Sequence, residues 1–351
     1  MKKFTAKELF SKTMPFIIAK LVLRLIVAGV FLLLFGLGVF LIARGNGTGG
    51  FVGFVLIIAS IASIGVLHFV LVRMMGFAVR VGHIAVLTEA IKTGKIPENQ
   101  VAYGKSRVTE RIGTAATFFL INKLVDRAVL QLQARLQSAA SFISAMPGGG
   151  AFVKFANTVL KAALKYVDEC CIGWIFYGPQ EQSAMKGALD GVTLYAQNWK
   201  RILGSSVKNA IGILLATYVG GVVIAIIFAI IFGAIGGAWG FFGFVFGITA
   251  AFVVKSVFID SMVMIRTLVV FMEDAPLTEI RVDMYGTLSG MSSAFADMLN
   301  RTKNEVSGDP FATPAPVAAT VAPAGRDIFC GECGAKNPAG TRFCGECGKN
   351  V

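Results

Sequence analysis

Apolar positions in this chain fall into unbroken runs and into stripes at helical spacing. Leu25 to Ala43 is a run of 19 uncharged residues, and Phe51 to Val72 is a second, interrupted only by His68. Between them "RGNGTGG" reads as a short polar turn. A helix crossing the hydrocarbon core needs about 20 apolar residues, so each run predicts one span. Asn209 to Val254 is uncharged over 46 residues, too long for one span and suited to two joined at the Gly-rich "GAIGGAWGFFG". Gly236, Gly240, Gly243 and Gly247 recur there at three- and four-residue spacing, a pattern that lets spans approach closely.

The stripes lie between the two hairpins. Ala184, Met185, Ala188, Leu189, Val192, Tyr195, Ala196, Trp199 and Ile202 form one apolar face. Lys186, Asp190, Thr193, Gln197 and Lys200 occupy the other, with Ser183 as the N-cap. Ala151 to Tyr177 repeats the pattern, with Lys154, Lys161, Lys165 and Asp168 on its polar side, and Ile121, Val125, Ala128, Leu132 and Leu136 mark a third such helix. Helices of this kind lie on a membrane surface or pack their apolar faces into a bundle; both readings stay open at this point.

The pattern predicts an all-α integral membrane protein with four transmembrane helices in two hairpins, cytoplasmic amphipathic helices and a small C-terminal zinc ribbon. Residues 1–75 hold the N-terminal helix and first hairpin, 76–205 the amphipathic region and 206–272 the second hairpin. A cytoplasmic helical extension follows over 273–304, then a Pro/Ala-rich linker over 305–328 and the ribbon over 329–351. The basic "MKKFTAKELFSKTMP" before the first run is read as part of a retained signal anchor, because that run is longer than a signal core and no A-x-A site follows.

Composition supports this reading. The chain of 351 residues is 55% hydrophobic and 15% charged, against about 25% charged in soluble domains. Its net charge of +13 is unevenly placed: Arg73 to Arg201 holds 16 Lys and Arg against 8 Asp and Glu, whereas the two inter-span turns hold only Arg44. By the positive-inside rule both termini are cytoplasmic, in the plasma (cytoplasmic) membrane.

Four of the six cysteines form Cys330-x2-Cys333 and Cys344-x2-Cys347. Four thiolates at this spacing suit tetrahedral Zn2+, and with every position filled by protein the metal is structural. The cytoplasmic side is where such thiols stay reduced. The stretch, with "NPAGTRFC" leading into the second pair, resembles the short zinc-ribbon tails of many prokaryotic proteins. Residues 326–351 hold four Lys and Arg against three Asp and Glu, too balanced for a nucleic-acid binder, so the expected partner is a cytoplasmic protein.

Charge within the spans is scarce. Lys255 and Asp260 fall near the cytoplasmic end of the fourth run, and Lys20 and Arg24 near the start of the first. Asp260, Lys255 and Arg24 are the candidate intramembrane polar site, with snorkelling to the headgroups as the competing role. His68 and His83 have no histidine or carboxylate companion at metal-ligand spacing. Cys170 and Cys171 adjoin Asp168 and Glu169, which raise thiol pKa and disfavour reactivity. With no nucleophile elbow, P-loop or dinucleotide fingerprint, an enzyme is not expected.

"YGPQEQSAMKGALDGVTLYAQNWKRIL" from Tyr177 and "FIDSMVMIRTLVVFMED" to Asp274 make residues 152–275 resemble the C-terminal portion of choline-transporter-like membrane proteins. That resemblance implies passage of a small organic solute, with Trp174, Tyr177, Tyr195 and Trp199 available for cation–π contacts or for interfacial anchoring. Only two spans precede the matching region, where the family has several more. The first expectation is therefore an oligomeric membrane scaffold or adaptor whose ribbon docks a partner; the alternative is a choline-transporter-like transporter or channel.

Overall fold

The computed structural model describes residues 4–44, 47–113, 115–144, 164, 166–306, 328–330, 335–337, 344, 346 and 348–349, the side chains of 115, 116, 118, 135–144, 200, 203–218, 237, 238, 306, 328, 329 and 336 excepted. Its described residues are overwhelmingly helical. Among the described residues three helices are long and apolar enough to cross a membrane: Met14–Arg44, Thr48–Thr93 and Trp239–Leu277. A shorter apolar stretch, Val219–Gly233, ends a helix of 50 residues. The chain divides into two compact units.

The first unit comprises Met1–Lys105 and Lys208–Arg266. Helix α1 (Ala6–Lys12) opens on a capping box in which the Thr5 side chain accepts from Glu8 N–H and the Glu8 carboxylate accepts from Thr5 N–H. Helix α2 (Met14–Arg44) and α3 (Thr48–Leu67) form the first hairpin. They meet through glycine backbone: a Cβ on Gly38 would lie 2.8 Å from Gly53 O, and one on Gly53 would lie 2.6 Å from Gly38 O. Helix α3 does not stop where the polar region was expected to begin. It passes through a π-helical stretch, His68–Met75, into α4 (Gly76–Thr93), whose residues 81–88 are all buried. Helix α4 falls within the first compact unit, where Val81, Ile84, Val86 and Leu87 give it a buried face. Helix α5 (Gln100–Ile112) follows.

The second hairpin joins the end of α8 (Ala184–Gly233) to α9 (Gly237–Val254) at the Gly-rich segment predicted for it. Gly236 turns there with φ +154, a conformation side chains rarely adopt, so it makes the turn and does not pack a span. Gly243 and Gly247 do pack: a Cβ on Gly243 would fall 2.3 Å from Phe228 O, and one on Gly247 would fall 2.5 Å from Ala225 Cα. Around this seam Phe228, Phe232, Phe242, Phe246 and Trp239 interleave with ring centroids 4.8–6.4 Å apart. Small residues bring the backbones together and aromatic rings fill what remains.

The second unit comprises Ser106–Val207 and Thr267–Val351. In it α6 (Ala115–Ser144), α7 (Val167–Tyr177), the start of α8, the end of α10 (Asp260–Asp274), α11 (Val282–Met291) and α12 (Ser293–Val306) share a core. Ile121, Val125 and Ala128 of α6 are buried as their spacing predicts, together with Ile175, Leu189, Phe271 and Phe295. These amphipathic faces therefore pack on one another. Helices α7 and α8 cross at contact, since a Cβ on Gly191 would sit 2.8 Å from Cys171 Cα. Ser183 caps α8, its hydroxyl accepting from Lys186 N–H at 3.2 Å. Asp190 and Thr193, assigned from their periodicity to a polar outer face, are buried because neighbouring helices cover that side too. Over 273–304 the chain is helical in pieces: α10 ends at Asp274, Pro276 lies in a short 3-10 turn, Ala275–Leu277, and Ser292 separates α11 from α12. Lys154, Lys161 and Lys165 lie outside the described residues.

Arg111 fixes the end of α7. Ile175 would normally give its carbonyl to the N–H of residue 179, but that residue is Pro179 and has none. Buried Arg111 supplies the missing donors: Nε and Nη2 reach Ile175 O at 3.1 and 2.8 Å, and Nη1 reaches Gln180 O at 2.7 Å. Burial lowers the guanidinium pKa from its ordinary value, with nearby Arg107 acting in the same direction.

Candidate functional site

Lys255 and Asp260 are brought together by backbone irregularity. They sit five residues apart, a spacing that an α-helix turns away from one face, but Lys255–Ile259 is π-helical. With i→i+5 hydrogen bonding the two side chains fall on the same side. Lys255 Nζ stands 3.1 and 3.3 Å from the Asp260 oxygens. Arg24, the third predicted member, lies over the Phe252 ring at 5.5 Å and within electrostatic range of Asp260. The three predicted polar residues are therefore neighbours, and two of them neutralise each other.

A second polar group in this unit escaped the sequence reading. His83 is fully buried and stacks on Phe16 with centroids 5.1 Å apart. Its Nε2 is 2.7 Å from Thr13 Oγ1, and its Nδ1 is 3.4 Å from Lys20 Nζ. Thr13 already donates its hydroxyl proton to Leu9 O at 2.8 Å, so it accepts from the ring. The proton thus sits on Nε2, and Nδ1 receives the Lys20 ammonium. Lys20 also donates to Ser261 Oγ at 3.3 Å, one residue from Asp260. No local spacing marks these contacts, which join positions 63, 70 and 241 residues apart.

Of the aromatic residues named for cation–π contacts or interfacial anchoring, Trp174, Tyr177 and Tyr195 make ring contacts in the second unit. Trp174 stacks on Tyr177 at 5.4 Å, and Trp174 and Tyr195 both pack on Phe271, which is completely buried. Trp199 is exposed. Cys170 and Cys171 are buried, and burial pushes both thiols well above their ordinary pKa, with the acidic neighbours adding to it. Nearby, Asp190 accepts from Gln182 at 2.6 Å, from Lys186 at 2.5 Å and from the Tyr285 hydroxyl. Burial and this bond raise the Tyr285 pKa.

At the C-terminus β1 (Ile328–Phe329) pairs antiparallel with β2 (Lys336–Asn337), placing Ile328 opposite Asn337. Cys330 and Cys344 are buried. Each is the start of the same closure: Cys330 N–H donates to Ala335 O at 2.9 Å and Cys344 N–H to Lys349 O at 2.6 Å. The Cys344 sulfur receives Glu346 N–H at 3.4 Å and Asn337 Nδ2 at 3.5 Å. Gly348 takes φ +73 to complete the second turn. Cys333 and Cys347 lie outside the described residues, and among the described residues no three His, Cys, Asp or Glu side chains gather as a metal site.

No protein-family model, curated protein or solved structure matches this chain. The two resemblances drawn from sequence rest on their quoted motifs.

Proposed function

We propose that the protein is an oligomeric four-span membrane scaffold or adaptor in the cytoplasmic membrane. Val219–Gly233, extended by the preceding turns of α8, would be the fourth span, and both termini face the cytoplasm. A structural Zn2+ held by Cys330, Cys333, Cys344 and Cys347 shapes the C-terminal ribbon, which docks a cytoplasmic protein. The observation that carries this reading is the matched pair of backbone closures at Cys330 and Cys344, five residues long in each case. Repetition of one turn about two buried thiols is what a tetrahedral site built from two knuckles requires. Such a site has no open position, so its role is architectural.

A choline-transporter-like activity is the second reading, favoured by the polar side chains Lys20, His83, Ser261, Lys255 and Asp260 in the unit that holds the first hairpin. The 3.1 Å ion pair weakens it, because an Asp260 carboxylate engaged by Lys255 is a poor counter-charge for a travelling cation. One experiment separates the two. In reconstituted vesicles, Asp260→Asn should leave choline flux at background, and removal of residues 326–351 should release the cytoplasmic proteins that co-purify with the full chain. Saturable choline uptake that is lost in Asp260→Asn and indifferent to the tail would overturn the scaffold.

A further inference from the structure

Helix α6 meets both its own bundle and the C-terminal segment over one stretch. Its Ile121, Val125 and Ala128 face the core, and Gln131 holds the start of α12 by accepting from Ser292 Oγ at 2.7 Å and Ala294 N–H at 3.1 Å. Beside these, Arg127 Nη2 meets Glu346 Oε2 at 2.5 Å. One turn further along α6, Gly348 lies on the helix backbone: a Cβ there would stand 3.2 Å from Leu130 O and 3.4 Å from Ala134 Cβ. Glu346 and Gly348 flank Cys347 in the second knuckle. Charge complementarity and close backbone approach thus fall on one strip of α6, from Arg127 to Ala134.

We infer that this strip is the docking surface for the second knuckle of the chain's own ribbon, and that zinc occupancy decides whether it is covered. The inference rests on the ribbon reading given above. The two strands of the ribbon are two residues long each, too short to hold Glu346 and Gly348 in register by hydrogen bonding alone. Metal ligation supplies that order. With zinc bound, the knuckle presents a carboxylate and a side-chain-free glycine at the separation α6 accepts. Without it, the same residues belong to an unshaped segment and the contact is lost. The contact is also displaceable, because the Glu346 side chain is 58% exposed and an exposed ion pair contributes little. A cytoplasmic partner that takes the second knuckle therefore competes with α6, and docking on α6 is the resting state.

The test uses the full chain in lipid nanodiscs with an Arg127→Lys substitution, which places an amine opposite Glu346. A carbodiimide joins a lysine to a carboxylate only at contact, and mass spectrometry reads the bond. Zinc-loaded protein should give the 127–346 linkage. Chelation of the metal should lower its yield about tenfold or more, since the metal supplies the ribbon's order. Adding Ala134→Tyr to the same chain crowds Gly348 and should lower the yield with one zinc per chain retained. Chains lacking bound zinc would overturn the ribbon reading itself. Bound zinc with no linkage would overturn the docking, and equal yields with and without metal would overturn its control by zinc. Linkage found only between isotopically distinct copies would replace the chain's own ribbon with its neighbour's.

Discussion

Arg111→Met offers a sharp test of how the second unit is held together. Methionine keeps most of the aliphatic stem, so the change removes the three N–H donors with little change of volume. Ile175 O loses contacts at 2.8 and 3.1 Å and Gln180 O loses one at 2.7 Å, all from a side chain that is itself buried. Ile175 has no alternative donor in its own helix, because Pro179 occupies the position that would serve it. Hydrogen bonds to a charged group contribute about 1.5–3 kcal/mol each, and an orphaned buried carbonyl costs about 1–3 kcal/mol. Relief from burying the guanidinium offsets part of this, leaving about 3 kcal/mol for the end of α7. The readout is built in: Cys170 and Cys171 lie in α7, are buried, and react with a thiol reagent only when that helix opens. In a background with Cys330, Cys333, Cys344 and Cys347 replaced by serine, labelling at 170 and 171 should accelerate about 100-fold, since about 1.4 kcal/mol is a factor of ten. Arg111→Lys should recover only part of the protection, because an ammonium cannot span both carbonyls as a planar fork does. Acceleration below about threefold, well under 1.4 kcal/mol, would refute the assignment of Arg111 as the cap of α7.

Two further outcomes are expected. Gly243→Leu places a side chain where a Cβ alone would lie 2.3 Å from Phe228 O, so the second hairpin must part and its midpoint of thermal unfolding in nanodiscs should fall; an unchanged midpoint would discount the glycine seam. Alkaline pH should destabilise the second unit: Cys170, Cys171, Tyr195 and Tyr285 all have pKa values raised in the folded chain, so they bind protons more tightly there than when unfolded. Their contribution is fully present below the unfolded thiol value of about 8.5 and is lost as pH rises through the folded values. Cys170→Ala with Tyr285→Phe should flatten that alkaline limb, and a limb unaltered by the pair would count against burial as its cause.

The sequence by itself determined the features that depend on neighbours along the chain. Three long apolar helices, the Gly-rich turn at Gly236, the Ser183 cap and the helical spacing of Ile121, Val125 and Ala128 follow local signals, and each has its counterpart among the described residues. The thiol pairs were equally plain, because metal-ligand spacing is a local property. Periodicity failed where burial came from two sides: Asp190 and Thr193 look like a solvent face until the helices that cover them are in place. Nor does periodicity show that a π-helical stretch carries the first hairpin's second helix onward past residue 76 without a break in the backbone. Pro179 announced an orphaned carbonyl at Ile175, yet nothing nearby in sequence said that Arg111 would fill it. In the same way His83 had no visible companion, although Thr13 and Lys20 wait 70 and 63 residues away. Hydrogen bonds and ion pairs act over about 3 Å, so such pairings belong to the folded chain alone, whereas helix, turn and span are written within a few residues of one another.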